Sequence, residues 1–268
     1  MVAARIGPVD ARTRRYVELS WVLVRRYLSV RYRGSSLGVF WSMANPLLMT
    51  GLYTLLFGSA FAVDYGGSVL NYVLAVFVGL SVVVLFAGAS SQALVSIVGS
   101  GAILNKIKVP PMIFPVSQVL ANTFQFAIGT FPLLVIVCLL HSHNPLNAIA
   151  LLVPTIALVA VCMGTGLILS TLYVFFRDMQ YLWEFMLTVF WMTSPVFYPE
   201  RLVPAAVKPF IHVLNPLVSI IASFRQITLS RDLPDAGLMA QSLLGGAVVL
   251  TIGYVGFRIG RRAFMDLI

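Results

Sequence analysis

Charge is scarce in this chain. Asp, Glu, Lys and Arg together make up 10% of its 268 residues, against 59% hydrophobic. A soluble domain carries about 25% charged residues, so a water-facing globular enzyme is excluded. Carboxylates are the rarer sign, 9 against 18 basic residues. They are too scattered to supply the convergent acids a membrane-embedded glycosyl-lipid transferase would need. Only Glu184 lies near an apolar run. A proton- or sodium-coupled carrier relies on an ionisable residue inside the membrane, and no good candidate exists. No Gly-Lys pair occurs, so no phosphate-binding loop can be built. His141 and His143, two residues apart in a polar break, read as loop residues, and no metal site or cofactor is expected in the chain. The two cysteines, Cys138 and Cys162, sit inside apolar runs and read as small buried hydrophobes rather than a disulfide. The residue alternation of a transmembrane β-barrel is also missing.

Long apolar runs are what the sequence has instead. A helix needs about 20 apolar residues to cross a bilayer. Spans are expected at about 37–61, 69–91, 111–140, 146–176, 181–197 and 236–257. Asp64-Tyr65-Gly66-Gly67 and His141-Ser142-His143-Asn144-Pro145 mark outer turns, and Asn105 to Pro111 a polar hinge. Residues 199–235 differ, with Pro199, Pro204, Pro209, Pro216 and Pro234 among scattered charges. The uncharged run from Pro209 to Phe224 has 16 residues with Pro216 inside it. It is too short and too broken to span and suits a re-entrant hairpin.

The +9 net charge would suggest nucleic acid in a soluble protein, but here the basic residues flank apolar runs. Basic residues collect on the cytoplasmic side of a membrane protein. With the N-terminus inside, 14 basic residues lie in the cytoplasm and 4 outside (Arg201, Lys208, Arg225 and Arg231). That split supports six spans with both termini cytoplasmic. No cleavable leader is visible among the eight arginines of residues 1–33, so the spans themselves are expected to direct insertion. Residues 12–33 form an amphipathic helix. Tyr16, Leu19, Leu23, Tyr27 and Val30 share one face, widened by Val17, Val24 and Leu28, and Arg14, Arg15, Glu18, Arg25 and Arg26 lie opposite. This is the pattern of a helix lying at the headgroup level. The competing reading is a helix docked on a partner protein.

Several motifs carry a resemblance to a known family. They are Tyr32-Arg33-Gly34-Ser35-Ser36-Leu37-Gly38-Val39-Phe40-Trp41-Ser42, then Asn45-Pro46-Leu47, Tyr53 and Phe57. Lys106-Ile107-Lys108-Val109-Pro110, Phe176-Arg177-Asp178, Ser194-Pro195-Val196-Phe197-Tyr198 and Asn215-Pro216 follow in order. From about residue 12 onward the chain resembles the membrane permease subunit of bacterial ATP-binding-cassette exporters of polysaccharide, which move O-antigen, capsule or teichoic acid. The resemblance implies two permease copies paired with two copies of a separate cytoplasmic ATPase, which would hold ATP and Mg. It also implies a lipid-linked glycan passing between the two permeases in the bacterial plasma membrane.

Roles follow from that resemblance. Residues 100–109 would couple to the ATPase, with Ile103, Leu104 and Ile107 docking and Lys106 and Lys108 at the rim; an ordinary basic loop is the plainer reading. Arg177 and Asp178 would be a second contact, or else a helix-end charge pair. Sugar rings stack on aromatic side chains, so Tyr53, Trp183, Phe190, Trp191, Phe197 and Tyr198 are candidate channel residues. An interfacial belt explains Trp183 and Tyr198 as well, and ordinary packing explains Phe190 and Trp191. Arg31 and Arg33 would hold the lipid diphosphate beside a turn made by Gly34, Leu37 and Gly38; headgroup snorkelling competes. Residues 199–235 would be the outer gate. The chain is thus expected to be an all-α membrane protein of one transmembrane domain, residues 1–268, with an interfacial helix, six spans and a gate hairpin between spans five and six. Exporters of a smaller lipid or drug, and a passive channel, are the alternatives.

Overall fold

The computed structural model describes residues 8–36, 38–104, 106, 109–230, 232–261 and 264. Leu37, Ile107, Lys108, Arg231 and Arg262 lie outside the described residues. All regular structure among those described is helical. The helices are α1 (Pro8–Arg31), α2 (Trp41–Phe61), α3 (Val69–Ser96), α4 (Gly101–Leu104), α5 (Ile113–Ile128) and α6 (Thr130–Ser142). They continue with α7 (Pro145–Ala150), α8 (Leu152–Phe175), α9 (Met179–Thr193), α10 (Lys208–Leu214), α11 (Pro216–Leu229) and α12 (Ala236–Gly260).

Among the described residues, four stretches are long and apolar enough to cross a bilayer alone: Gly38–Tyr65, Val69–Ser96, Pro145–Phe175 and Ala236–Gly260. Two bent pairs could add one span each, α5 with α6 at 40° and α10 with α11 at 96°. The turns read from sequence are where the helices start. Gly66 and Gly67 take positive φ, and Ser68 then caps α3 by accepting from the Asn71 N–H at 3.4 Å. Asn144 caps α7 with Pro145 at its first position, and Asp235 caps α12 by accepting from Gly237 N at 2.7 Å.

Two expectations change. The third span is not one helix: α5 and α6 are separated at Gly129, where a Cβ would stand 2.6 Å from the Ser42 hydroxyl of α2. The fifth helix stops at Thr193 rather than 197. Pro195 biases Ser194 away from the helical region, and Ser194 is extended at φ −84, ψ 130. Fifteen residues of α9 reach only about 22 Å at 1.5 Å per residue. Pro216 does break the apolar run, between α10 and α11, which meet at 96°. It opens α11 at the first turn, where no N–H is needed, behind an Asn215 cap accepting from Leu217 N at 3.0 Å.

α3 is the centre of the bundle. It touches α2, α5, α8, α9 and α11, and 67% of its most apolar stretch is buried, against 22% for Gly38–Tyr65 and 17% for α12. α12 instead packs intimately on α8. Gly246, Gly253 and Gly260 recur every seven residues on one side of α12 and meet Ala157, Gly164 and Thr171 of α8, also seven apart. Small residues let membrane helices approach backbone to backbone. α11 runs back along the first half of α12, so that a Cβ on Gly245 would lie 3.9 Å from Pro216.

Candidate functional site

Two polar or aromatic clusters stand out from the apolar packing. The first lies where α1 meets α3 and α5. α1 packs along α5, with Trp21 edge-on to Phe124 at 5.7 Å and Val24 buried. Tyr16, Leu19, Leu23, Val24, Tyr27 and Leu28 are buried or half-buried, whereas Val17 and Val30 are exposed. The packed stripe is therefore narrower than the apolar face read from the sequence. At the end of α1, Arg31 reaches into the bundle. Its Nη1 donates to Gln125 Oε1 at 2.6 Å and Asn122 Oδ1 at 3.2 Å, and its Nη2 donates to Gln92 Oε1. Asn122 Nδ2 in turn donates to Gln92 Oε1 at 3.0 Å.

Amide oxygens satisfy a guanidinium's donors without cancelling its charge. A cavity of about 500 Å3 opens beside this network, lined by Arg26, Tyr27, Arg31, Gln92, Ser100 and Ile103 among others, with no carboxylate in its described lining. Burial pushes the Tyr27 phenol up from its usual pKa, with Ser100 and Arg26 opposing, so it stays a neutral hydroxyl. The arrangement suits an anionic headgroup with hydroxyls around it. Arg33 is exposed on the turn that follows. Gly34 and Gly38 take φ of +78° and +52°, where an L side chain would be strained, which is the sharp turn expected of them.

The second cluster is at the other end of α2 and α3. Tyr53 stacks on Phe197 at 4.9 Å with 6° between the planes, and Tyr198 meets Phe197 edge-on at 5.2 Å. Three of the six aromatic candidates thus come together. Trp183 and Phe190 form a separate group around Phe86 of α3, at 5.9 and 5.5 Å. Trp183 is 6% exposed and donates Nε1–H to Ser90 Oγ at 3.2 Å, so its ring is a core element and offers no face to a passing sugar. Trp191 is half-buried against the same core.

Residues 194–198 are not helical; Ser194 N still donates to Phe190 O of α9 at 3.0 Å, and side chains hold much of the rest. Tyr72 Oη donates to Phe197 O at 2.8 Å. Arg225 of α11 donates from Nη2 to Val196 O at 2.6 Å and from Nε to Ala75 O at 3.0 Å. Asn215 Nδ2 donates to Ser194 Oγ at 2.9 Å and Thr193 Oγ1 at 3.1 Å. Irregular backbone at membrane depth requires such partners. Beyond this segment, Arg201 pairs with Asp64 of the α2–α3 turn, which raises the guanidinium pKa, and Glu200 meets His212 at 3.1 Å.

The coupling residues are divided. Lys106, Arg177 and Asp178 are exposed. Ile103 lines the Arg31 cavity, and Leu104 packs on a small core of Ile97, Leu167, Val174, Phe257 and Phe264. Both apolar side chains are therefore used within the chain. Arg177 lies over the Tyr173 ring at 5.5 Å, and no ion pair joins it to Asp178 among the described residues. Sequence reasoning missed Gln92, Asn122, Gln125 and Arg225. The signal available was three amides interrupting apolar runs, two of them three residues apart; Arg225 had been counted among the outer-loop charges.

Comparison with known proteins agrees with this architecture. The family described as ABC-2 type transporter matches residues 18–229. The chain is similar to the O-antigen export system permease protein RfbA of Myxococcus xanthus, 29% identical over 249 residues, covering 92% of this chain and 94% of the relative. It is similar to the protein of the same name from Klebsiella pneumoniae, 29% identical over 218 residues, covering 81% and 82%. The match over most of its length, on an all-helical frame with four to six candidate spans, makes the chain a member of the ABC-2 type transporter family.

Proposed function

We propose that the chain is the transmembrane permease subunit of an ATP-driven exporter that carries lipid-linked polysaccharide of O-antigen or teichoic-acid type across the bacterial plasma membrane. The observation that carries this reading is the nearly end-to-end match with O-antigen export permeases. The chain works as a pair with a second copy, and two copies of a cytoplasmic ATPase supply ATP, Mg and the hydrolysis. Both termini are cytoplasmic, α1 lies at the headgroup level, and α9 with the non-helical residues after it is the fifth of six spans. Residues 199–235 are the outer gate. The return of α11 along α12, with Pro216 beside Gly245 nine residues beyond Ala236, supports a segment that enters and leaves on one side.

The lipid diphosphate meets Arg31 and Arg26 in the inner cavity, with Arg33 exposed two residues beyond Arg31. Ile103 borders that cavity and Lys106 follows it, so headgroup binding and the ATPase contact share one segment. The glycan then follows α9. Gln180, Glu184 and Thr188, four residues apart, are all exposed on this helix. A carboxylate facing lipid is costly, which supports water rather than acyl chains against this face. Tyr53, Phe197 and Tyr198 stack on sugars further along. Removing the gene from a glycan-exporting cell should abolish surface polysaccharide and leave lipid-linked glycan in the inner leaflet. Normal surface glycan with altered sensitivity to a drug would favour the small-molecule alternative.

A further inference from the structure

The cytoplasmic end of α12 carries a second basic site that the transport reading leaves unused. Arg261 lies between two cavities. One, of about 610 Å3, is lined by Tyr16 and Ser20 of α1 with Pro110, Met112, Ile113 and Val116. The other, of about 350 Å3, is lined by Tyr254, Val255, Arg258 and Ile259. Arg258 lies over the Tyr254 ring at 5.8 Å. No carboxylate is among the described residues lining either cavity. Each cavity joins a basic rim to an apolar wall, and Tyr254, Val255 and Ile259 are 43%, 48% and 71% exposed along the helix below the arginines.

We infer that this is a binding site for an anionic phospholipid of the cytoplasmic leaflet. The phosphate sits between Arg258 and Arg261, the latter shared with the cavity that Tyr16 and Ser20 line, and an acyl chain lies along Tyr254, Val255 and Ile259. Charge selects an anion, and the apolar strip continuous with the rim selects a lipid over free phosphate. The site is separate from the Arg31 cavity, whose described lining shares none of these residues. Its place in the leaflet rests on the membrane orientation proposed above, whereas its binding chemistry does not. An occupied site would fasten α1 to the end of α12 through the lipid.

The test is native mass spectrometry and thermal melting of the full chain purified with its ATPase in neutral detergent. Phosphatidylglycerol, phosphatidylcholine and inorganic phosphate are added separately, to wild type and to R258Q/R261Q. Phosphatidylglycerol should bind and raise the melting temperature, and phosphatidylcholine and phosphate should not. Each basic residue near a surface contributes about five-fold to anionic-lipid affinity, so the double variant should bind phosphatidylglycerol on the order of 30-fold more weakly. Equal response to the two lipids, an equal response to phosphate, or a phosphatidylglycerol response that survives the double substitution would overturn the site. Loss of the ATPase from the variant with lipid binding intact would assign the arginines to the protein partner instead. Because binding is read without transport, failure here leaves the export reading standing.

Discussion

The backbone of Gly253 in α12 lies directly against the backbone of Gly164 in α8, closer than any side chain would permit. Leu at either position must push the two helices apart. Overpacking a tight site costs about 1–3 kcal/mol when neighbours can shift, and two backbones in contact cannot shift locally. Gly253→Leu should therefore yield aggregated or degraded protein. Gly256→Leu should behave as wild type, because nothing lies within 4 Å of a Cβ there. Comparable monodisperse yields of both variants in size-exclusion chromatography would show that this contact does not hold the bundle.

Arg225 ties α11 to both α3 and the segment after α9 by two carbonyl bonds. A hydrogen bond to a charged group contributes about 1.5–3 kcal/mol. Arg225→Ala should lower the melting temperature and expose residues 194–198 to thiol labelling at Tyr198→Cys. Arg225→Lys should restore little, since an ammonium lacks the planar fork that reaches Val196 and Ala75 together. Wild-type melting and labelling in Arg225→Ala would remove the residue from any role in the outer segment.

The Arg31 cradle makes a separable prediction. Gln92→Ala and Asn122→Ala leave the guanidinium in place but release it, so the apparent affinity for lipid-linked glycan should fall by a smaller factor than in Arg31→Ala. Arg31→Ala should fall at least about ten-fold if one charge-assisted bond is lost. Glycan-stimulated ATPase activity of the reconstituted complex reads both. Unchanged stimulation in Arg31→Ala, with the complex intact, would make the arginine a structural anchor of α1.

Topology can be tested without transport. Single cysteines at Arg201 and Asp232, in a background lacking Cys138 and Cys162, should both react with an impermeant thiol reagent from outside. If one labels from outside and the other only from the cytoplasm, residues 208–229 are a true span and the gate assignment fails.

Much of the frame was legible in the sequence because apolar length and turn chemistry act locally. Ser68, Asn144 and Asp235 cap the helices that the turns predicted, and Gly34 and Gly38 take the left-handed backbone conformation their turn needs. Contacts between distant segments were not legible. Trp183 looked equally like a belt or a channel residue, and only its burial on Ser90 and Phe86 decided the matter. Pro216 interrupts the apolar run as its position suggests, but the Asn215 cap that restarts a helix there is not marked by the hydropathy pattern. Arg225 counted as an outer charge because nothing local reveals two carbonyls supplied by residues 75 and 196. The seven-residue spacing of Gly246, Gly253 and Gly260 was visible, but its partner α8 was not.

The most direct test of the export reading is translocation in proteoliposomes that contain this chain and its ATPase, with fluorescent lipid-linked glycan supplied on the ATPase side. The account predicts ATP-dependent movement of glycan to the opposite face, lost when either protein is omitted, and no ATP hydrolysis by this chain alone. Movement that proceeds without the ATPase, or robust hydrolysis by this chain by itself, would contradict it.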